Sequence, residues 1–172
     1  MKDEILFIEK QPFWRNMVLL IALPLINGIF VWGFVQQVVF GITWGNNPMS
    51  DVRLCIVAGV LLLFSVLLLL SKLQTVITGE GIYVRFRPID FKTRFYAWED
   101  IDEAYVRKYS PLREFGGWGA RGSWKRGVAY NVSGSIGLQL VLENGRKILI
   151  GTNRAEELQE ILKKINGKRK QK

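Results

Sequence analysis

Histidine is absent from this chain, and cysteine occurs once, at Cys55. The first absence removes the commonest general base and the commonest metal-ligating side chain. The second rules out an internal disulfide and leaves Cys55, inside an apolar run, as a small packing residue. No serine stands in a nucleophile elbow. The acids Glu99, Asp100, Asp102 and Glu103 are the one cluster able to attract a divalent cation, and their bunching at a chain corner fits a solvated turn better. The residues therefore offer no catalytic group, no cofactor-binding group and no metal site, and the expected class is non-enzymatic.

Charge is missing from one long stretch: between Arg15 and Asp51 there is no charged side chain. Within it, Met17 to Phe40 is a run of 24 mostly apolar residues, about 36 Å long as a helix and enough to span a bilayer core. Leu54 to Leu70 adds 17 more, at the short end of the spanning range. That second run is apolar on every face, whereas a helix packed on a soluble core keeps a polar stripe. A cleaved signal peptide would have a shorter apolar core, an earlier start and an A-x-A type site. Two membrane helices are therefore expected. Trp14 and Trp44 flank the first, where indole rings favour the lipid boundary; Pro24 is a candidate kink; Gln36 and Gln37 lie where their amides reach water or the neighbouring helix. Lys2, Lys10 and Arg15 precede the pair, Lys72, Arg85 and Arg87 follow it, and the connecting loop holds only Arg53. That bias places both termini in the cytoplasm.

The net charge of +9 coexists with 49% hydrophobic residues because the two are segregated. Residues 1–71 hold four Lys or Arg and four Asp or Glu, and residues 72–172 hold twenty and eleven. A basic domain within a Debye length of an anionic leaflet gains about 1 kcal/mol per well-placed cation, which favours a fixed orientation. The tail "GKRKQK" is either a solvated end or part of that lipid-facing charge.

The C-terminal portion has the two-residue period of strands. "LQTVIT" (73–78), a Gly79-Glu80-Gly81 turn and "IYVRFR" (82–87) read as a hairpin ended by Pro88, "KTRFYAW" (92–98) as a third strand, and "EAYVRKY" (103–109) as a fourth. "GVAYNV" (127–132) is a short candidate. Ile136, Leu138, Leu140 and Leu142 then face one way, and Ile148 and Ile150 return after Asn144-Gly145. An Asn-Gly pair suits a two-residue type I′ turn and would set Glu143 opposite Arg146. Asn153 and Glu156 form the pattern of a capping box for a helix carrying Ala155, Leu158, Ile161, Leu162 and Ile165 on one face, with Gly167 as its stop.

The runs "LQTVITGEGIYVRF", "WEDIDEAYV" from Trp98 and "GLQLVLENGRKILIGTNRAEELQEIL" resemble, over about residues 70–166, the bacterial pleckstrin-homology-like (PH-like) domains that follow a short membrane hairpin in poorly characterised proteins. The resemblance implies an α+β membrane protein. A two-helix transmembrane hairpin would precede a PH-like antiparallel β-barrel or sandwich of six or seven strands with a C-terminal capping helix. It also implies a bacterial cytoplasmic membrane. Phosphoinositide-binding PH domains use a basic loop between their first two strands. The Gly79-Glu80-Gly81 turn, read as that loop, is short and acidic, so phosphoinositide binding is not carried over.

Gly117, Gly119 and Gly122 stand in the spacing G-x-G-x-x-G of a dinucleotide fingerprint. That fingerprint works only between a parallel strand and a helix N-terminus, and "SWKRGVAYNV" after Gly122 has no helical period. The segment from Ser110 to Arg126 does combine aromatic rings and cations on an adaptable glycine-rich backbone. Arg113, Trp118, Arg121, Trp124, Lys125 and Arg126 make it a candidate contact loop for anionic lipid headgroups, an acidic membrane protein or another copy of the chain. The competing reading is that the Trp rings cover the open side of a small barrel while the cations are solvated. Nucleic acid is disfavoured, since no recognition motif is present and the domain is tethered.

The expected organisation is a cytoplasmic segment at 1–16, a transmembrane hairpin at 17–71 with spans at about 17–40 and 54–71, a cytoplasmic PH-like domain at 72–166 and a basic tail at 167–172. The function expected is membrane-anchored binding or scaffolding, with no cofactor. A membrane-bound enzyme or a transport accessory subunit, with its site between helices and domain, is the alternative; the lack of an intramembrane charge weighs against it.

Overall fold

The structure, a computed structural model, describes residues 4–88, 90–123 and 126–169. The chain opens with strand β1 (Ile5–Pro12), a 3₁₀ turn (Phe13–Arg15) and helix α1 (Met17–Phe34), which widens into a π turn (Val35–Val39). After α2 (Asp51–Leu70) come β2 (Lys72–Thr78), β3 (Gly81–Arg87), β4 (Asp90–Ala97), β5 (Ile101–Lys108), α3 (Pro111–Phe115), β6 (Gly119–Ser123), β7 (Gly127–Asn131), β8 (Ile136–Leu142), β9 (Lys147–Gly151) and α4 (Ala155–Arg169). The strands form two sheets, in the orders β1-β2-β3-β4 and β5-β8-β9-β7-β6. The molecule is thus α+β, with two apolar helices and two facing sheets that do not close into a barrel.

The core lies between the sheets, because each strand turns alternate apolar residues to one face. Phe7, Leu73, Ile77, Ile82, Val84 and Phe86 from the first sheet meet Ile101, Tyr130, Leu138, Leu140, Ile148 and Ile150 from the second. Helix α4 packs against β5 and β1, burying Leu158 and Leu162, with Ile161 and Ile165 partly buried beside them, as the helical period predicts. Gly167 does not stop it, since the helix runs to Arg169. A glycine near a helix end costs about 1 kcal/mol relative to alanine and does not by itself terminate the helix.

Strand β1 is the largest addition to the sequence reading, which left residues 1–16 without structure. It pairs antiparallel with β2, from Ile5 opposite Thr78 to Pro12 opposite Lys72. Its inward residues after Phe7 are Glu9 and Gln11, both buried, so the strand shows no apolar alternation. Glu9 accepts hydrogen bonds from Thr152 Oγ1 (2.7 Å) and the Asn153 N–H (2.8 Å), and Gln11 Nε2 donates to the Gly151 carbonyl (2.7 Å). The capping box at Asn153 does not form. That side chain turns to β1, its Nδ2 donating to Gln11 Oε1 at 3.5 Å, while Thr152 Oγ1 accepts the Arg154 N–H at 3.1 Å. A buried carboxylate needs its donors more than an exposed helix start needs its cap.

With β1 in place, the Gly79-Glu80-Gly81 turn joins the second and third strands, and the two helices occupy the connection between the first two. The crossings are tied together. The Phe13 N–H donates to the Ser71 carbonyl (2.8 Å), and Asn16 Nδ2 reaches the Val132 carbonyl (2.7 Å) while its Oδ1 caps α1 at Leu19 (3.2 Å). Leu19 and Leu68 pack on the domain core.

Two further expectations are corrected. The sheets are not wholly antiparallel: β7 and β9 pair in parallel, because two reversals of direction, into and out of β8, separate them. The β8–β9 turn is not type I′. No non-glycine residue has positive φ among the described residues, and within this turn only Gly145 carries it, at 77°. The Gly145 N–H donates to the Leu142 carbonyl (2.8 Å) and the Leu142 N–H to the Arg146 carbonyl (2.9 Å). This is a three-residue loop with glycine at its left-handed position. Arg146 consequently lies opposite Leu142, and the Glu143 N–H donates to the Asp100 carbonyl at 3.0 Å.

Candidate functional site

The segment from Ser110 is a built element more than a loop. The Ser110 hydroxyl accepts the Arg113 N–H (3.4 Å), Pro111 supplies the first helical turn, and Gly116, at φ 70°, ends α3. Phe115 and Tyr109 meet edge to face at 6.3 Å and pack with Ala129 and Leu149 on the outer face of the second sheet. Gly117, Gly119 and Gly122 then run from a turn into β6, an antiparallel edge strand held by β7 and by Gly119 N–H donating to Asn131 Oδ1 (2.9 Å). The short helix α3 directly precedes those glycines and the strands β6 and β7 hold and follow them, so the strand-turn-helix setting of a dinucleotide fingerprint is not formed by the described residues.

The expected contact residues are distributed over this element. Trp118 is partly buried against the main core. The exposed Arg121 folds back, its Nε donating to the Trp118 carbonyl (3.2 Å), and the exposed Arg126 donates from Nη1 to the Arg113 carbonyl (3.3 Å). Arg113 is exposed on α3. Trp124 and Lys125 lie outside the described residues. One aromatic ring therefore serves packing while three cations remain at the surface.

Arg107 and Glu114 anchor the segment through a forked pair at 2.9 and 3.3 Å, and Glu114 Oε1 also accepts the Ser110 N–H (2.9 Å). The Arg107 hydrogen bond holds the Glu114 carboxyl below the usual carboxylate range. Burial pushes the neighbouring Tyr109 phenol up to about 12, against smaller opposing effects of Asn131 and Arg107.

A second charged region emerges only from strand register. On the outer face of the first sheet, Pro12, Lys72 and Arg87 form one cross-strand row, and Lys10, Gln74, Arg85 and Thr93 form the next. Lys72, Gln74, Arg85 and Arg87 line a depression of about 120 Å³. Arg85 Nε donates to Thr93 Oγ1 (2.9 Å), which sets the plane of its guanidinium. Among the described residues neither row contains a carboxylate. The following row, Ile8, Val76, Tyr83 and Phe95, is apolar, with the last two rings 4.5 Å apart. In the sequence these cations were legible only as a count flanking the helices; the pairing that gathers them was not.

Among the described residues no group of three or more His, Cys, Asp or Glu side chains is arranged to hold a metal ion. No known family profile and no curated protein sequence matches the chain. The chain itself presents a folded two-sheet domain interrupted by a pair of long apolar helices.

Proposed function

We propose that the chain is a non-enzymatic, membrane-anchored binding or scaffolding protein whose PH-like domain is mounted at the cytoplasmic face of a bacterial membrane, both termini cytoplasmic. The observation that carries this reading is the insertion of the helical pair between two adjacent, paired strands, with both crossings tied by Phe13–Ser71 and Asn16–Val132. An anchor joined through one linker lets its domain tumble. One joined through two neighbouring strands presents fixed faces to whatever lies at the surface.

Several features support insertion. Met17–Val39 and Asp51–Leu70 are long and apolar enough to span a membrane, and only 6% and 11% of their most apolar windows are covered by protein, unlike the core helix of a soluble domain. Trp14 is exposed at the domain end of α1, with the Arg15 guanidinium 5.5 Å from its ring centre, an arrangement suited to the headgroup boundary. Inside the pair, Asn27 Nδ2 donates to the Leu23 carbonyl and to Ser65 Oγ, both at 2.8 Å, so these polar groups meet each other instead of lipid. At the far end Gln37 donates to the Met49 carbonyl and Asp51 Oδ1, both at 2.7 Å. Two facing sheets with a helix packed on the first strand of each support the PH-like reading. The surface cations Arg113, Arg121 and Arg126 support contact with anionic lipid headgroups, another membrane protein or a second copy.

The test combines location and company. In a Cys55→Ala background, Asn46→Cys in the inter-helix loop should react with an impermeant maleimide in intact cells, and Lys163→Cys only after permeabilisation. Purification of the full chain in mild detergent should yield a stoichiometric protein partner, bound lipid or a homo-oligomer. Release of the chain by an alkaline carbonate wash, or equal labelling of both cysteines, would overturn the reading.

A further inference from the structure

The basic depression on the first sheet is unusual in one physical respect. Lys72 and Arg87 are direct cross-strand partners, and like charges so placed repel. Arg85 lies one row away on the same face, and Lys10 extends that row across β1 and β2. Among the described residues none of the four forms a salt bridge to a carboxylate. Arg85 uses only its Nε, toward Thr93, among the described residues. Its terminal nitrogens are left as a planar fork, the geometry that binds phosphate in two places at once. Gln74, between the cations, adds an uncharged donor.

Position selects the kind of anion. Lys72 is two residues beyond Leu70, the last residue of α2. Gln74 is two residues further, about 7 Å along the strand, and Arg87 and Arg85 lie opposite these two positions. A headgroup layer is about 5–8 Å deep on each side of the hydrocarbon core. If Leu70 ends at the hydrocarbon boundary, the cations stand at headgroup depth. The next row of this face is apolar, so the positive charge is confined to that zone.

We infer that Lys72, Gln74, Arg85 and Arg87 form a binding site for the phosphodiester of an anionic phospholipid, held where the second helix leaves the membrane. The inference rests on the membrane-anchored reading above, because without insertion the site has no lipid at that height. Occupancy neutralises the Lys72–Arg87 repulsion and fixes the sheet against the bilayer. The site thereby sets the tilt of the domain and which of its other faces is presented.

The test uses the full chain in neutral detergent, with short-chain phosphatidylglycerol as probe and short-chain phosphatidylcholine and inorganic phosphate as comparisons, read by native mass spectrometry and thermal unfolding. Phosphatidylglycerol should bind and raise the unfolding temperature, and phosphatidylcholine should do neither. The triple change Lys72→Gln, Arg85→Gln, Arg87→Gln should weaken phosphatidylglycerol binding by roughly tenfold or more. Neutralising Arg146, Lys163 and Lys164, exposed elsewhere on the domain, should leave it unchanged. Arg85→Lys, which keeps the charge and loses the fork, should weaken it less than the triple change. Equal binding by the triple variant, or equal loss in the control, overturns the site. Displacement of the lipid by inorganic phosphate at equal concentration overturns the assignment to a lipid. Release by a carbonate wash is the separate outcome that removes the anchored reading itself.

Discussion

The Phe13 N–H donates to the Ser71 carbonyl at 2.8 Å, joining the residue after β1 to the residue before β2. The two apolar helices are therefore an excursion from one sheet, and the first strand of that sheet precedes them. A fragment of residues 72–172 lacks β1 and so leaves Glu9's partners, Thr152 and the Asn153 N–H, unpaired. Such a fragment should unfold broadly and at low temperature by circular dichroism, and a peptide of residues 4–13 should sharpen and raise the transition. In the full chain, Glu9→Ala should cost about 2–3 kcal/mol by denaturant unfolding in detergent.

Glycine is required at the start of β7 and merely favoured at the β8–β9 turn. At Gly127 φ is 82°, and a Cβ would lie 1.9 Å from the Lys147 carbonyl oxygen across the parallel β7–β9 pair. Gly127→Ala should therefore destabilise the domain by about 3 kcal/mol or more. At Gly145 φ is 77° but a Cβ would meet nothing within 4 Å, so Gly145→Ala should cost about 1 kcal/mol. Thermal unfolding of the two variants side by side checks the order.

The α3 segment should be sensitive at both ends of the pH scale. The hydrogen bond from Arg107 holds the Glu114 carboxyl below its ordinary value of 4.5. Its stabilising contribution is present above the unfolded value and lost as pH falls through the lower folded value. Tyr109 has the opposite sense. Its phenol is raised from 10.0 to about 12, so stability is intact below pH 10 and declines as pH rises between those values. Hydrogen-exchange protection of residues 110–118, taken relative to the intrinsic rate at each pH, should fall below pH 4.5, and Glu114→Gln should flatten that dependence. Ultraviolet titration should show a component ionising near 12 that Tyr109→Phe removes.

Within the helical pair, Asn27 and Ser65 share a 2.8 Å hydrogen bond. On the membrane-anchored reading proposed above, Ser65→Ala should weaken helix pairing by about 0.6 kcal/mol, the typical value for such bonds in lipid. Asn27→Ala should cost more, since its Nδ2 also serves the Leu23 carbonyl. Steric-trap unfolding in bicelles gives both numbers.

Whatever depends on local pattern was legible along the chain. Two uncharged apolar runs announce two long helices, alternation places β2, β3, β8 and β9, and the spacing of Leu158, Ile161, Leu162 and Ile165 gives the buried face of α4. Each signal is carried by neighbours along the chain, where side-chain period and backbone geometry are coupled. The remainder follows from contacts between residues far apart in sequence. Strand β1 hides because Glu9 and Gln11 occupy inward positions and are satisfied by Thr152, Asn153 and Gly151, residues far off in sequence. The Asn153 cap and the Asn144-Gly145 turn follow the same rule: local chemistry permits one conformation, and distant hydrogen bonds or sheet twist select another. The basic depression is the clearest case. Lys72 is separated in sequence from Arg85 and Arg87 and appears there only as scattered charge. Antiparallel register, fixed by burying Leu73, Val84 and Phe86 on the opposite face, sets the cations side by side.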